Sequence, residues 1–148
     1  MSNDIYEVIE NIQDKSNNKT LSYEDYMVMK EQEKAEVFDL LDEITESIIS
    51  DDEKFNEYLA VQVRLGKYTV SNTMLIFAQK PEASMLKDFE TWKDSGVKIR
   101  KGEKGIKILE PYSAASKDGG NFTVFNVKKL LDVSPVSYTH LRAHETVL

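Results

Sequence analysis

The apolar residues of this chain change period at Gly96, and that change decides what the chain can fold into. Before it, Val37, Phe38, Leu40, Leu41, Ile44 and Ile48 recur at helical spacing, the stripe that one face of a long amphipathic helix requires. After it, Val97 and Ile99 alternate with Lys98 and Arg100, and Ile106 and Ile108 flank Lys107. That is the period of a strand. The alternation returns at Phe122, Val124 and Val127, beyond a loose loop of small and polar residues. Helices first and strands after them give an α+β class: N-terminal helices packed on a small antiparallel sheet that contains a basic β-hairpin.

Local signals place the helices. Ser22 with Asp25 reads as a helix start by side-chain capping, and the helix runs to about Ile49. Its acidic residues fall opposite the apolar stripe, so they read as solvated surface rather than as a metal or acid/base cluster. The stretch Ser50 to Asp52 can cap a second helix carrying Phe55, Leu59 and Val63, with Gly66 past its end in a left-handed conformation. Ser71 can cap a third, with Met74, Leu75, Phe77 and Ala78, stopped by Pro81. The residues from Asp88 to Ser95 make one or two further turns, ended by Gly96. The two alternating runs at 97–99 and 106–108, separated by a Lys-Gly-Glu-Lys-Gly stretch, read as a hairpin with glycine in its turn.

Charge is divided unevenly along the chain. Residues 1–60 hold 17 acidic and 5 basic residues, a balance of −12, whereas residues 61–148 hold 9 and 14, a balance of +5. Between 93 and 107, six bases (Lys93, Lys98, Arg100, Lys101, Lys104 and Lys107) stand against Asp94 and Glu103. A surface of that sign can neutralise phosphates and release their counterions, the sequence-independent part of nucleic-acid affinity. Trp92, Tyr68, Tyr112, Phe122 and Phe125 lie near it in sequence, and aromatics beside a basic groove hold single strands by base stacking. Phe122 and Phe125 read as core. Trp92 divides two readings: three residues after Phe89 it can be buried on the same helix face, or it can present its ring to a base.

Several function classes are excluded. The glycine pattern is not the G-x-x-x-x-G-K-[ST] of a phosphate-binding loop. A KH-type loop joins two helices, whereas both flanks of Gly102-Glu-Lys-Gly105 alternate like strands. His140 and His144 do not supply the H-E-x-x-H of a zincin, and no cysteine is present for thiolate chemistry. No carboxylate pair stands outside a solvated helix face, so no catalysis, cofactor or metal is expected. The polar, acidic first 20 residues fit neither a signal nor a transit peptide, and the apolar runs are too short for a bilayer. A cytoplasmic protein without membrane contact is the expectation.

Three stretches together, Lys67 to Gln79, Phe89 to Leu109 and Phe122 to Leu130, resemble the ArdC-like N-terminal domain of antirestriction and conjugation-associated proteins. The shared pattern is a Tyr with an Asn four residues on, an aromatic helix ending in Gly, the RKGEKG segment and a TVFNV strand, over roughly Arg64 to Leu131. The resemblance implies single-stranded-DNA binding by a protein of a plasmid or conjugative element. In it, Lys93, Lys98, Arg100, Lys101, Lys104 and Lys107 would contact phosphates, Tyr68 and Trp92 would stack on bases, and Asn72 would hydrogen-bond backbone or base. Longer relatives carry a C-terminal metallopeptidase domain. A different class of reading has the acidic helices capture a protein partner, as an antirestriction module without direct DNA binding. The expected organisation is a polar leader at 1–22, the ArdC-like domain at 23–133, and a tail at 134–148. That tail resembles translated adapter sequence, so it is expected to be foreign to a longer natural protein.

Overall fold

The computed structural model describes residues 21–99 and 102–132. The polar leader up to Thr20, the tail from Val133 with both histidines, and Arg100 and Lys101 therefore lie outside the described residues. Helix α1 (Tyr23–Ser50) starts where the capping signal placed it, with the Asp25 N–H donating to Ser22 Oγ at 3.1 Å. It buries Val37, Ile44 and Ile48. A single residue, Asp51, separates it from α2 (Asp52–Arg64), and the Asp51 carboxylate accepts from the Glu53 and Lys54 N–H groups at 3.0 and 3.3 Å.

So short a connection fixes the roll of α2 against α1, and the face turned inward is not the expected one. Tyr58 and Val61 are buried, while Phe55, Leu59 and Val63 are exposed at 45, 41 and 84%. The sequence carries two overlapping stripes, and the one with Tyr58 wins because the neighbouring Gln62 accepts the tyrosine hydroxyl at 2.6 Å. A buried ring with its polar end satisfied is no costlier than a phenylalanine. Gly66 also differs from expectation. Its φ is not positive, and α2 closes instead through the Leu65 N–H on Val61 O at 2.8 Å.

Helix α3 (Val70–Gln79) is capped two residues earlier than expected, by Thr69 in place of Ser71. Thr69 Oγ1 accepts from the Asn72 N–H at 3.2 Å. The helix ends at Gln79, with Lys80 as its C-cap just before Pro81. A two-residue strand, β1 (Leu86–Lys87), precedes α4 (Phe89–Asp94), which Gly96 terminates with a φ of 79°. Asp88 caps α4, accepting from the Thr91 N–H at 2.7 Å. Hydrogen bonds from the Thr91 hydroxyl and N–H, assisted by Lys128, hold the Asp88 carboxyl below its ordinary value, against the effect of burial. Because the folded form holds the proton less tightly, this stabilisation is present above the unfolded pKa and is lost as the pH falls through the folded one. Asp88→Ala is expected to cost about 1 kcal/mol at neutral pH. Denaturant melts of the two proteins should converge in acid below the ordinary carboxylate range.

The sheet differs from expectation in where its hairpin lies. Residues 97–99 form no strand. The Val97 N–H instead closes the end of α4 on Trp92 O at 3.0 Å. The hairpin joins β2 (Ile106–Ala115) to β3 (Asn121–Asp132), in register from Ile106 opposite Leu130 to Ala115 opposite Asn121. Gly119, at φ 85°, makes its turn. Gly102 does adopt a positive φ of 88°, but in the connection from α4 to β2 rather than between two strands. The strand adjacent in sequence offers ten paired positions, which a three-residue run at 97–99 cannot rival. Strand β1 pairs antiparallel with the far end of β3, giving three strands in the order β1-β3-β2. The α+β class stands.

Leu109 and Val127, which share one face of the hairpin, pack with Val37 of α1 and Leu75 of α3. Ile106, Ile108 and Leu130 share the other face and join Tyr58, Val61, Leu65, Ile76, Phe77 and Leu86. The hairpin outruns this core: from Glu110 to Ser113 and from Asn121 to Thr123 every residue is exposed. No helix among the described residues is long and apolar enough to cross a membrane.

Candidate nucleic-acid interface

The basic residues expected at the site divide into two groups. Lys93 at the end of α4, and Lys98 and Lys104 on the connection from α4 to β2, are exposed and form no ion pair with a described residue. Lys107 lies half-buried on β2, with its ammonium 3.7 Å from Glu33 Oε2 on α1. Glu33 thus departs from the solvated role expected of the α1 acids, since its side chain is only 21% exposed. The charge of Lys107 is matched inside the fold. The charges of Lys93, Lys98 and Lys104 are available to an outside anion.

Asn72 and Trp92 have structural work. The Asn72 carboxamide brackets Leu109, donating Nδ2–H to its carbonyl and accepting its N–H, both at 2.9 Å. Gln79, two turns on along α3, does the same for Lys107 at 2.8 and 2.9 Å. These two amides take the place of a neighbouring strand along the free edge of β2. Trp92 is 3% exposed, and its indole N–H donates to Leu131 O at 2.7 Å. Lys87 covers the ring at 4.7 Å from its centre. No face of the indole is left for a base, so the helix roll has chosen burial beside the sheet over presentation to a groove.

Tyr68 is intermediate. It is half-buried, its hydroxyl donates to Leu86 O at 3.3 Å, and the Lys67 ammonium lies 5.2 Å from the ring centre. Burial raises the pKa of its hydroxyl, and Lys128 works the other way. Lys128 itself lies 3.9 Å from Asp88 and 3.6 Å from Glu110.

The aromatics that are presented to solvent are others. Tyr112 is 44% and Phe122 51% exposed, a correction for Phe122, expected in the core. Tyr112 stands opposite Val124 and Phe122 opposite Ala114, so the two rings share one face as diagonal neighbours. Phe125 points to the other face and meets Phe38 edge-on at 6.3 Å, leaving 38% of it exposed. The sequence does carry a signal for this: the hairpin alternation continues past the last position where a helix stripe can meet it.

Comparison with known proteins gives the family. The model of the N-terminal domain of anti-restriction factor ArdC matches residues 38–129, from the middle of α1 to near the end of β3. The chain belongs to this family. An uncharacterized protein of Bacillus anthracis is 33% identical over 86 residues, which are 56% of this chain and 15% of that protein. The chain thus spans a small part of the relative's length. No solved structure matches. The ArdC-family match includes α2, α3, the α4–β2 connection and nearly all of the hairpin, so the clamps from α3, the exposed lysines and the aromatic ribbon all lie within it.

Proposed function

We propose that this domain binds single-stranded DNA. Its phosphates would meet Lys93, Lys98 and Lys104, together with Arg100 and Lys101, which the chain places between them. Membership of the ArdC N-terminal family supports the reading, and the observation that carries it is that Lys93, Lys98 and Lys104 stand exposed and form no ion pair with a described residue, in an acidic protein. Lys107 contributes less, because its charge is matched by Glu33. For base stacking, the exposed rings of Tyr112 and Phe122 replace Trp92, with the half-buried Tyr68 as a further contact.

Fluorescence anisotropy with a labelled single-stranded oligonucleotide tests this. The slope of log K against log[salt] is expected to be roughly −2 to −4, at about −0.7 per phosphate neutralised. Lys98→Glu with Lys104→Glu should flatten it, and Tyr112→Ala should weaken binding by about 1–3 kcal/mol at unchanged melting temperature. Undiminished binding in the double charge reversal would refute the proposal. Capture of a protein partner that survives the lysine reversal and is lost on reversing acids of α1 between 31 and 46 would favour the protein-partner reading instead.

A further inference from the structure

The two edges of the sheet are treated differently. Along β2, the outward-facing backbone of Lys107 is clamped by Gln79 and that of Leu109 by Asn72, and the next outward position is Pro111, which has no N–H to offer. Along β3, strand β1 covers only Leu131 and Asp132, and the Trp92 indole takes Leu131 O. Leu109 stands directly opposite Val127. Since the Leu109 N–H and C=O point away from β3, those of Val127 point away from β2, and the same holds at every second residue back to Asn121. The outward groups of Asn121, Thr123, Phe125 and Val127 form no hydrogen bond to a described residue.

Among the described residues nothing guards this stretch. Asn121 to Val127 reads NFTVFNV, with no charge, proline or glycine, and is rich in β-branched and aromatic residues. Natural edge strands are protected by lysines, prolines, bulges or a covering element, because an open ladder recruits another strand. On β2, by contrast, the outward groups of Lys107 and Leu109 are clamped and Pro111 lacks a donor, so that edge is open only at its far end, at Ser113 and Ala115.

We propose that this edge pairs with the same edge of a second copy, antiparallel about a two-fold axis near Val124, so that the three strands of each copy join in one continuous sheet. A strand pairing with itself about a two-fold axis is self-complementary by construction. Charge selects the antiparallel sense. Lys128 and Lys129 follow the neutral stretch at one end only, so the antiparallel arrangement sets the two lysine pairs at opposite ends, whereas a parallel one sets them side by side. Phe125 and its partner Phe38, 38 and 37% exposed, flank the axis and would be covered from both copies. The clamps on β2 also limit the assembly: from Lys107 to Pro111 that edge is closed or lacks a donor, and only its short end at Ser113 and Ala115 stays without a clamp, so association is expected to stop at two.

Sedimentation velocity on the whole chain across a wide concentration range, with amide exchange measured on the same samples, tests this. A reversible monomer–dimer equilibrium is expected, with the Thr123, Phe125 and Val127 amides slow to exchange in the dimer and fast on dilution. Phe125→Lys places like charges at the axis, and Thr123→Pro removes one ladder donor. Each should raise the dissociation constant at least about tenfold, that is by 1.4 kcal/mol or more. Should either variant fold poorly, the concentration dependence of exchange in the unaltered protein decides the matter. A monomer at every concentration, open-ended association, or a dimer whose Thr123 and Phe125 amides exchange as fast as in the monomer would overturn the proposal.

Discussion

Trp92→Ala is expected to lower stability by about 3–5 kcal/mol, the range for emptying a buried tryptophan site. Three contributions act together. The ring is 3% exposed, so its removal leaves a cavity between α4 and the sheet. Leu131 O loses the indole donor at 2.7 Å, just where β1 pairs with β3. The Lys87 ammonium loses the ring it covers at 4.7 Å. At about 4 °C per kcal/mol, where the ranges for smaller and larger domains meet, the melting temperature should fall by roughly 12–20 °C. Trp92→Phe keeps most of the packing and loses the donor, so it should fall between the two. Since Trp92 is the only tryptophan in the chain, its fluorescence reports on the same question without mutation. A blue-shifted emission that resists acrylamide is expected, and adding an oligonucleotide should change it little. Strong quenching by acrylamide or by a bound single strand would return the indole to the DNA interface.

The features that were legible in the sequence are those set by a few adjacent residues. Ser22 with Asp25, and Gly96, each fix a helix terminus through a local hydrogen bond or a positive φ, and both occur where expected. Features that depend on a distant partner were not legible. The run at 97–99 has strand alternation, yet its fate depends on whether β2 finds a better partner, and β3 lies nearer and is longer. Helix α2 offers two apolar stripes of similar spacing, and a one-residue connection plus the Tyr58–Gln62 hydrogen bond choose between them.

The same distinction governs the candidate site. The exposed lysines follow from local charge, because only Asp94 and Glu103 stand against the six bases between 93 and 107. Lys107 has the same local signature, but its partner Glu33 lies 74 positions earlier, on a helix that only the tertiary fold brings across the hairpin. Asn72 was singled out as a residue with a polar task. The task itself, holding a strand edge 37 residues away, requires knowing that α3 lies along that edge.

Asn72→Ala should be the second large loss, and its size relative to Gln79→Ala is the informative quantity. Leu109 is 5% exposed, so water cannot replace the amide that Asn72 provides, and both its N–H and its C=O become unpaired. At about 1–3 kcal/mol for each buried group left unsatisfied, the expected cost is on the order of 2–6 kcal/mol. Lys107 is half-exposed, so water can take the place of Gln79, and that substitution should cost under about 1 kcal/mol. Asn72→Asp refines the test: a carboxylate still accepts the Leu109 N–H but sets an anion against the Leu109 carbonyl. Its cost should shrink as acid protonates the side chain and restores a donor. Denaturant unfolding of the three variants at neutral and acid pH measures all of this. Equal losses for Asn72→Ala and Gln79→Ala would show that the clamps do not act by shielding buried backbone. If they do act so, removing both frees a second edge on each copy, and the association expected to stop at a dimer should then continue to larger species.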